Sequence, residues 1–192
     1  VGLPTLALAA WARPAQPKTG LIRSIIHFVA PAGLSLALLG LLAYTFYYVT
    51  IFSSSVGVTS LNTAEDAAQL EALRGMPINE IIAQATEQAL AVSRTILTTL
   101  LTLGGLLLLP LVEPPTRWWE GGDEYSGDWR PTLLALVLAA GYLIVLFVPA
   151  LRDFFELSTL QPQDFVFVAV ALLVWLLTLR FIWRARMLPR FL

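Results

Sequence analysis

Four stretches of this chain stay apolar for the width of a membrane, and polar, proline-rich segments separate them. They cover about residues 24–51, 79–110, 132–149 and 163–184, with Phe28 to Val49 and Ala89 to Leu109 as the apolar bodies of the first two. A helix rises about 1.5 Å per residue, so about 20 residues cross a hydrocarbon core of about 30 Å. The first two stretches are long enough to cross with tilt, and the third is short. The pattern predicts an all-α polytopic membrane bundle of four transmembrane helices.

The ends of these stretches carry helix punctuation. Pro110, Pro114 and Pro115 mark the end of the second. Asp128 before Pro131 reads as a helix start, Pro149 as the stop of the third stretch, and Pro162 as the opening of the fourth. Pro31 and Gly33 lie inside the first and predict a kink near its start. Between the first two stretches, Thr63-Ala64-Glu65-Asp66 resembles a capping box and predicts a short surface helix. Beyond Pro77, Ile81, Ile82, Ala85, Ala89 and Val92 keep helical spacing, so the second helix should project above the bilayer before it enters.

Composition agrees with lipid as part of the solvent. The chain is 57% hydrophobic and 13% charged, too little charge to cover a soluble domain of this length. A net charge of −1 gives no basic face for nucleic acid. Cysteine is absent, which removes disulfides, thiolate metal sites and cysteine nucleophiles. The chain begins at Val1 and shows no signal-peptide pattern, so a fragment is the simpler reading. Charge also orients the bundle. Arg13, Lys18, Arg23, Arg117, Arg130, Arg180, Arg184, Arg186 and Arg190 fall on one side, and Arg74, Arg94 and Arg152 on the other. The positive-inside rule then places both termini in the cytosol and the 52–78 and 150–161 loops outside.

Few residues carry chemistry. Thr95, Thr98 and Thr102 recur at helical spacing on the second stretch, with Thr99 beside them. A hydroxyl face of this kind in lipid usually packs against a neighbouring helix. The loop after it holds Glu113, Glu120, Asp123, Glu124 and Asp128, without the ligand order of an oxygen cage for calcium. His27 is the only histidine, and no zinc-protease or phosphate-cradling motif occurs. At the start, Gly2-Leu3-Pro4 forms a kink-prone run. A proline in a membrane helix frees backbone carbonyls that can face a cation where they line a cavity.

Gly2-Leu3-Pro4-Thr5-Leu6-Ala7-Leu8, followed by Arg13-Pro14 and four membrane-length stretches, resembles the region from the end of helix six through helix ten of bacterial P-type cation-transporting ATPases of the HAD superfamily. The later loop, with Pro114-Pro115-Thr116, Gly121-Gly122 and Gly127-Asp128-Trp129-Arg130-Pro131, is similar to their stretch between helices eight and nine. The resemblance implies that residues 1–12 end a preceding transmembrane helix, an N-terminal partial helix of the bundle. Residues 13–23 would then form a cytosolic loop, and 24–192 a four-helix C-terminal membrane domain. It implies ATP-driven cation transport by the intact enzyme in the cell membrane. This part would brace the transport helices, with Gly2, Pro4, Thr95, Thr98, Thr99 and Thr102 along the ion pathway. Two departures stand out. Val1 occupies the place of the family's frequent aspartate, and Leu97 falls where calcium pumps carry a glutamate ligand.

The Asp-Lys-Thr-Gly phosphorylation motif is also missing, so the chain alone forms no aspartyl phosphate. No catalytic or metal-binding residue is expected in it. Magnesium-ATP belongs to the intact pump, as do the upstream transmembrane and cytosolic domains and the transported cation, while the lipid bilayer surrounds the bundle. The alternative is a structural or accessory four-helix membrane protein without a transport cycle. An intramembrane enzyme is disfavoured because ionisable residues are scarce within the helices.

Overall fold

The computed structural model describes residues 21–56, 78–112 and 129–184. They form five helices: α1 (Leu21–Val56), α2 (Ile78–Val112), α3 (Arg130–Phe147), the short α4 (Pro149–Phe154) and α5 (Pro162–Arg184). No strand occurs among the described residues. Four helices are long and apolar enough to cross a membrane, over Val29–Ser55, Ile82–Pro110, Arg130–Phe147 and Pro162–Ile182. The chain is an all-α membrane helical bundle. Residues 1–20, the capping-box loop and the acidic loop at 113–128 lie outside the described residues.

The core follows from helical spacing. Ala32, Leu36, Gly40 and Ala43 line the inner face of α1. Ala85, Ala89, Ser93, Ile96, Leu100 and Gly104 line that of α2, and Val168, Leu172, Trp175 and Leu179 that of α5. Small residues let α1 and α2 approach closely. A Cβ added to Gly40 would lie 2.8 Å from Leu97 Cδ1, and one on Gly104 would lie 2.6 Å from Leu36 Cδ1. Residue 40 opposite 97 and residue 36 opposite 104 make the pair antiparallel. α3 packs on α2, and α5 closes against α1 and α2.

The outward faces are apolar. Leu34, Leu38 and Leu42 of α1, Leu133 and Leu136 of α3, and Val166, Val170 and Leu173 of α5 are exposed. Water would penalise a surface this large and this apolar, whereas lipid matches it.

The helix ends depart from the sequence expectations in instructive ways. α1 runs as helix through Pro31, and Ser35 Oγ donates to the Pro31 carbonyl oxygen at 2.5 Å. α2 likewise continues through Pro110 to Val112. α3 begins at Arg130, two residues after the start signal at Asp128, with Trp129 as its N-cap and no side-chain cap bond. Pro149 does stop α3, yet it also opens α4, a helix the sequence pattern did not announce. Val148 takes an extended conformation between them (φ −86°, ψ 113°), as the residue before a proline prefers.

The helices do not end at one level. Ser158 N donates to Thr95 Oγ1 at 2.8 Å, so the α4–α5 connection sits beside Thr95. From Thr95, α2 extends a further ~25 Å to Ile78. Glu80, Gln84, Glu87 and Gln88 lie exposed on that extension, and Ser53 and Ser54 lie exposed at the facing end of α1. α2 therefore runs well past the α4–α5 connection, as the helical spacing beyond Pro77 predicts.

Candidate functional site

Two polar groups sit where the helices meet. The first is a hydroxyl lock on α2. Thr95 and Thr99 are fully buried one helical turn apart. Thr95 Oγ1 donates to the Ala91 carbonyl at 2.9 Å and accepts Ser158 N. Thr99 Oγ1 lies 2.7 Å from the Thr95 carbonyl and 2.9 Å from Tyr142 Oη of α3. A hydroxyl has one hydrogen, and the Thr99 hydrogen goes to the carbonyl, so Tyr142 is the donor. The lock therefore ties α2 to α3 and to the loop before α5.

This arrangement corrects the expected threonine face. Thr95 and Thr99 share it, Thr102 is half-buried, and Thr98 is exposed outside the bundle. The buried face of α2 is centred on Ala89, Ile96 and Leu100, and Thr98 lies a step of about 200° from Ile96. Gly2 and Pro4 lie outside the described residues.

The second group surrounds Asp164, which is 7% exposed in the first turn of α5. Its Oδ2 accepts Gln161 N at 2.7 Å, while Asp164 N donates to the Gln161 carbonyl at 2.9 Å. This reciprocal pair has the logic of a capping box, with Asp in the Glu position and Pro162 opening the helix. The N-terminal end of α5 also favours the carboxylate's charge. Tyr47 Oη of α1 donates to Asp164 Oδ1 at 2.9 Å. The Tyr47 ring meets Phe167 edge-on at 5.1 Å, so α1 grips the start of α5 by ring and hydroxyl together. Further along, Trp175 Nε1 donates to Ser35 Oγ at 2.9 Å and joins the same two helices again.

Above Asp164 opens a cleft of about 750 Å³ between the projecting ends of α1 and α2. Thr50, Ser54, Ser55, Gln88, Thr159, Gln161 and Gln163 line it with Tyr47 and Asp164. Asp164 is the one acid in that lining, and both its oxygens are engaged. Among the described residues no group of three or more His, Cys, Asp or Glu side chains comes together.

Sequence reasoning opened the fourth stretch at Pro162 and gave no role to Asp164, Tyr47 or Tyr142. Ser93 is fully buried on the inner face of α2, and its hydroxyl has no hydrogen-bond partner. The contacts of Tyr47 and Tyr142 reach across 117 and 43 residues and depend on helix register, which no local motif encodes. Compared with known proteins, the chain matches no family model, no curated protein and no solved structure.

Proposed function

We propose that this chain is the C-terminal membrane domain of an ATP-driven P-type cation pump, bracing the transport helices from one side. What carries the reading is the order of parts. The Gly2-Leu3-Pro4 run comes first, then the basic Arg13-Pro14 loop, then four membrane-length helices with a Gly127-Asp128-Trp129-Arg130-Pro131 loop in their middle. The internal polar groups support the bracing role. Thr95, Thr99, Tyr142, Tyr47, Asp164, Ser35 and Trp175 each take part in a hydrogen bond that joins one helix to another or to a connecting loop. In this reading the domain lies in the cell membrane with both termini cytosolic. The ion pathway runs along Gly2 and Pro4, and the buried threonines hold the helices beside it.

The reading is tested by the coding sequence upstream of Val1. An Asp-Lys-Thr-Gly segment there, with vanadate-sensitive phosphate release by the encoded protein, is the expected result. A gene product lacking both would leave a structural or accessory membrane protein in its place.

A further inference from the structure

The end of α3 and the connection from it to α5 expose three phenylalanines close together. Phe154 is 78% exposed, Phe147 67% and Phe155 55%. Phe147 stacks on Phe165 of α5 at 5.4 Å, so this patch continues the apolar outer surfaces of α3 and α5 without a break. The geometry that presents it is fixed. Ser158 N is held by Thr95, and Glu156 adopts a left-handed conformation (φ 54°) while Leu157 N caps back onto the Arg152 carbonyl at 2.9 Å.

One cation sits inside this patch. The Arg152 side chain is 20% exposed, and among the described residues its ionic partner is Asp153, with Nε 3.8 Å from a carboxylate that is itself 73% exposed. That distance is too long for a hydrogen bond. Arg152 borders a cavity of about 70 Å³ shared with Phe147, Thr159 and Phe165. A guanidinium and a hydroxyl between aromatic walls, at the level where two membrane-length helices end, match a phosphate with an acyl chain attached.

We propose that the α3–α5 connection is a phospholipid site: Arg152 takes the headgroup phosphate, and Phe154 and Phe155 lie among the acyl chains. α4 then lies in the membrane interface and fixes how deep the bundle sits. The proposal requires a membrane-spanning bundle and not the pump assignment, so its failure leaves that assignment untouched.

The chain lacks native cysteine, so single cysteines at Asp153, Phe154 and Phe155 can carry nitroxide labels. The labelled full chain is reconstituted into vesicles of phosphatidylethanolamine and phosphatidylglycerol. Collisions with oxygen, which concentrates in lipid, and with a water-soluble nickel chelate report depth. Labels at 154 and 155 should favour oxygen and the label at 153 the chelate. Arg152→Gln should shift 154 and 155 toward the chelate, Arg152→Lys should restore them, and inorganic phosphate in the buffer should change nothing. Equal chelate access at all three positions would overturn the lipid contact. An unchanged depth in Arg152→Gln, or an outward shift on adding inorganic phosphate, would overturn the role given to the lipid phosphate.

Discussion

Ser93 and Thr99 are both fully buried hydroxyls on α2, yet they should respond oppositely to removal. Thr99→Val strands the Tyr142 hydroxyl without its acceptor and cuts the tie to α3. The expected loss is about 1 kcal/mol, near the upper range for hydrogen bonds between membrane helices. Ser93→Ala removes a hydroxyl that has no partner and should stabilise the bundle by up to about 1 kcal/mol. Thr98→Val, outside the bundle, should stay within about 0.5 kcal/mol of the parent. Reversible unfolding in mixed detergent micelles measures all three, and a larger loss from Thr98→Val than from Thr99→Val would contradict the lock. The glycines offer a second contrast. Gly104→Ala pushes a Cβ to 2.6 Å from Leu36 Cδ1 and should destabilise by about 1–3 kcal/mol, whereas Gly105→Ala meets nothing within 4 Å and should be neutral. Similar unfolding midpoints for the two would show that α1 and α2 are less closely packed than their glycines indicate.

Among the helices, the join between α1 and α5 depends on one hydroxyl and one carboxylate. Tyr47→Phe and Asp164→Asn each remove or weaken the same bond, and Asp164→Asn also weakens the cap of α5. A double-mutant cycle should therefore give a coupling of roughly 1 kcal/mol, with Asp164→Asn the costlier single change. Additive effects would mean that the bond holds nothing. The existence and rough limits of all four long helices were legible in the sequence, because apolar length is a local property. So was the opening of α5 at Pro162. The end of α2 was legible to within two residues of Pro110 and the start of α3 to within two of Asp128, while α1 continues as helix through Pro31 because an early proline costs only the bonds it removes and neighbouring turns keep the rest. The short α4 escaped because six residues carry too little periodicity to register. The threonine face was half legible: spacing grouped the hydroxyls, but which of them turns inward depends on where Ile96 and Leu100 meet α1.

For the whole molecule, topology comes first. Basic residues divide nine to three between the two ends of the bundle, which should place Ser126 in the cytosol and Ser54 outside. Single cysteines at these positions, treated in intact cells with an impermeant thiol reagent, should label at 54 and not at 126. The reverse pattern would invert the bundle. α2 and α1 project at the end that carries the polar cleft, so an inverted bundle would put that cleft in the cytosol. In the proposed pump, the ion path runs past Gly2 and Pro4 and not through the acidic loop. The most direct test is cation-stimulated, vanadate-sensitive phosphate release by the full-length protein, compared between the parent, Pro4→Ala and Asp123→Asn. Activity in the parent, loss of most of the cation stimulation in Pro4→Ala, and near-parent activity in Asp123→Asn are the expected results. No stimulated activity in the parent, or stimulation abolished by Asp123→Asn and kept by Pro4→Ala, would contradict the proposal.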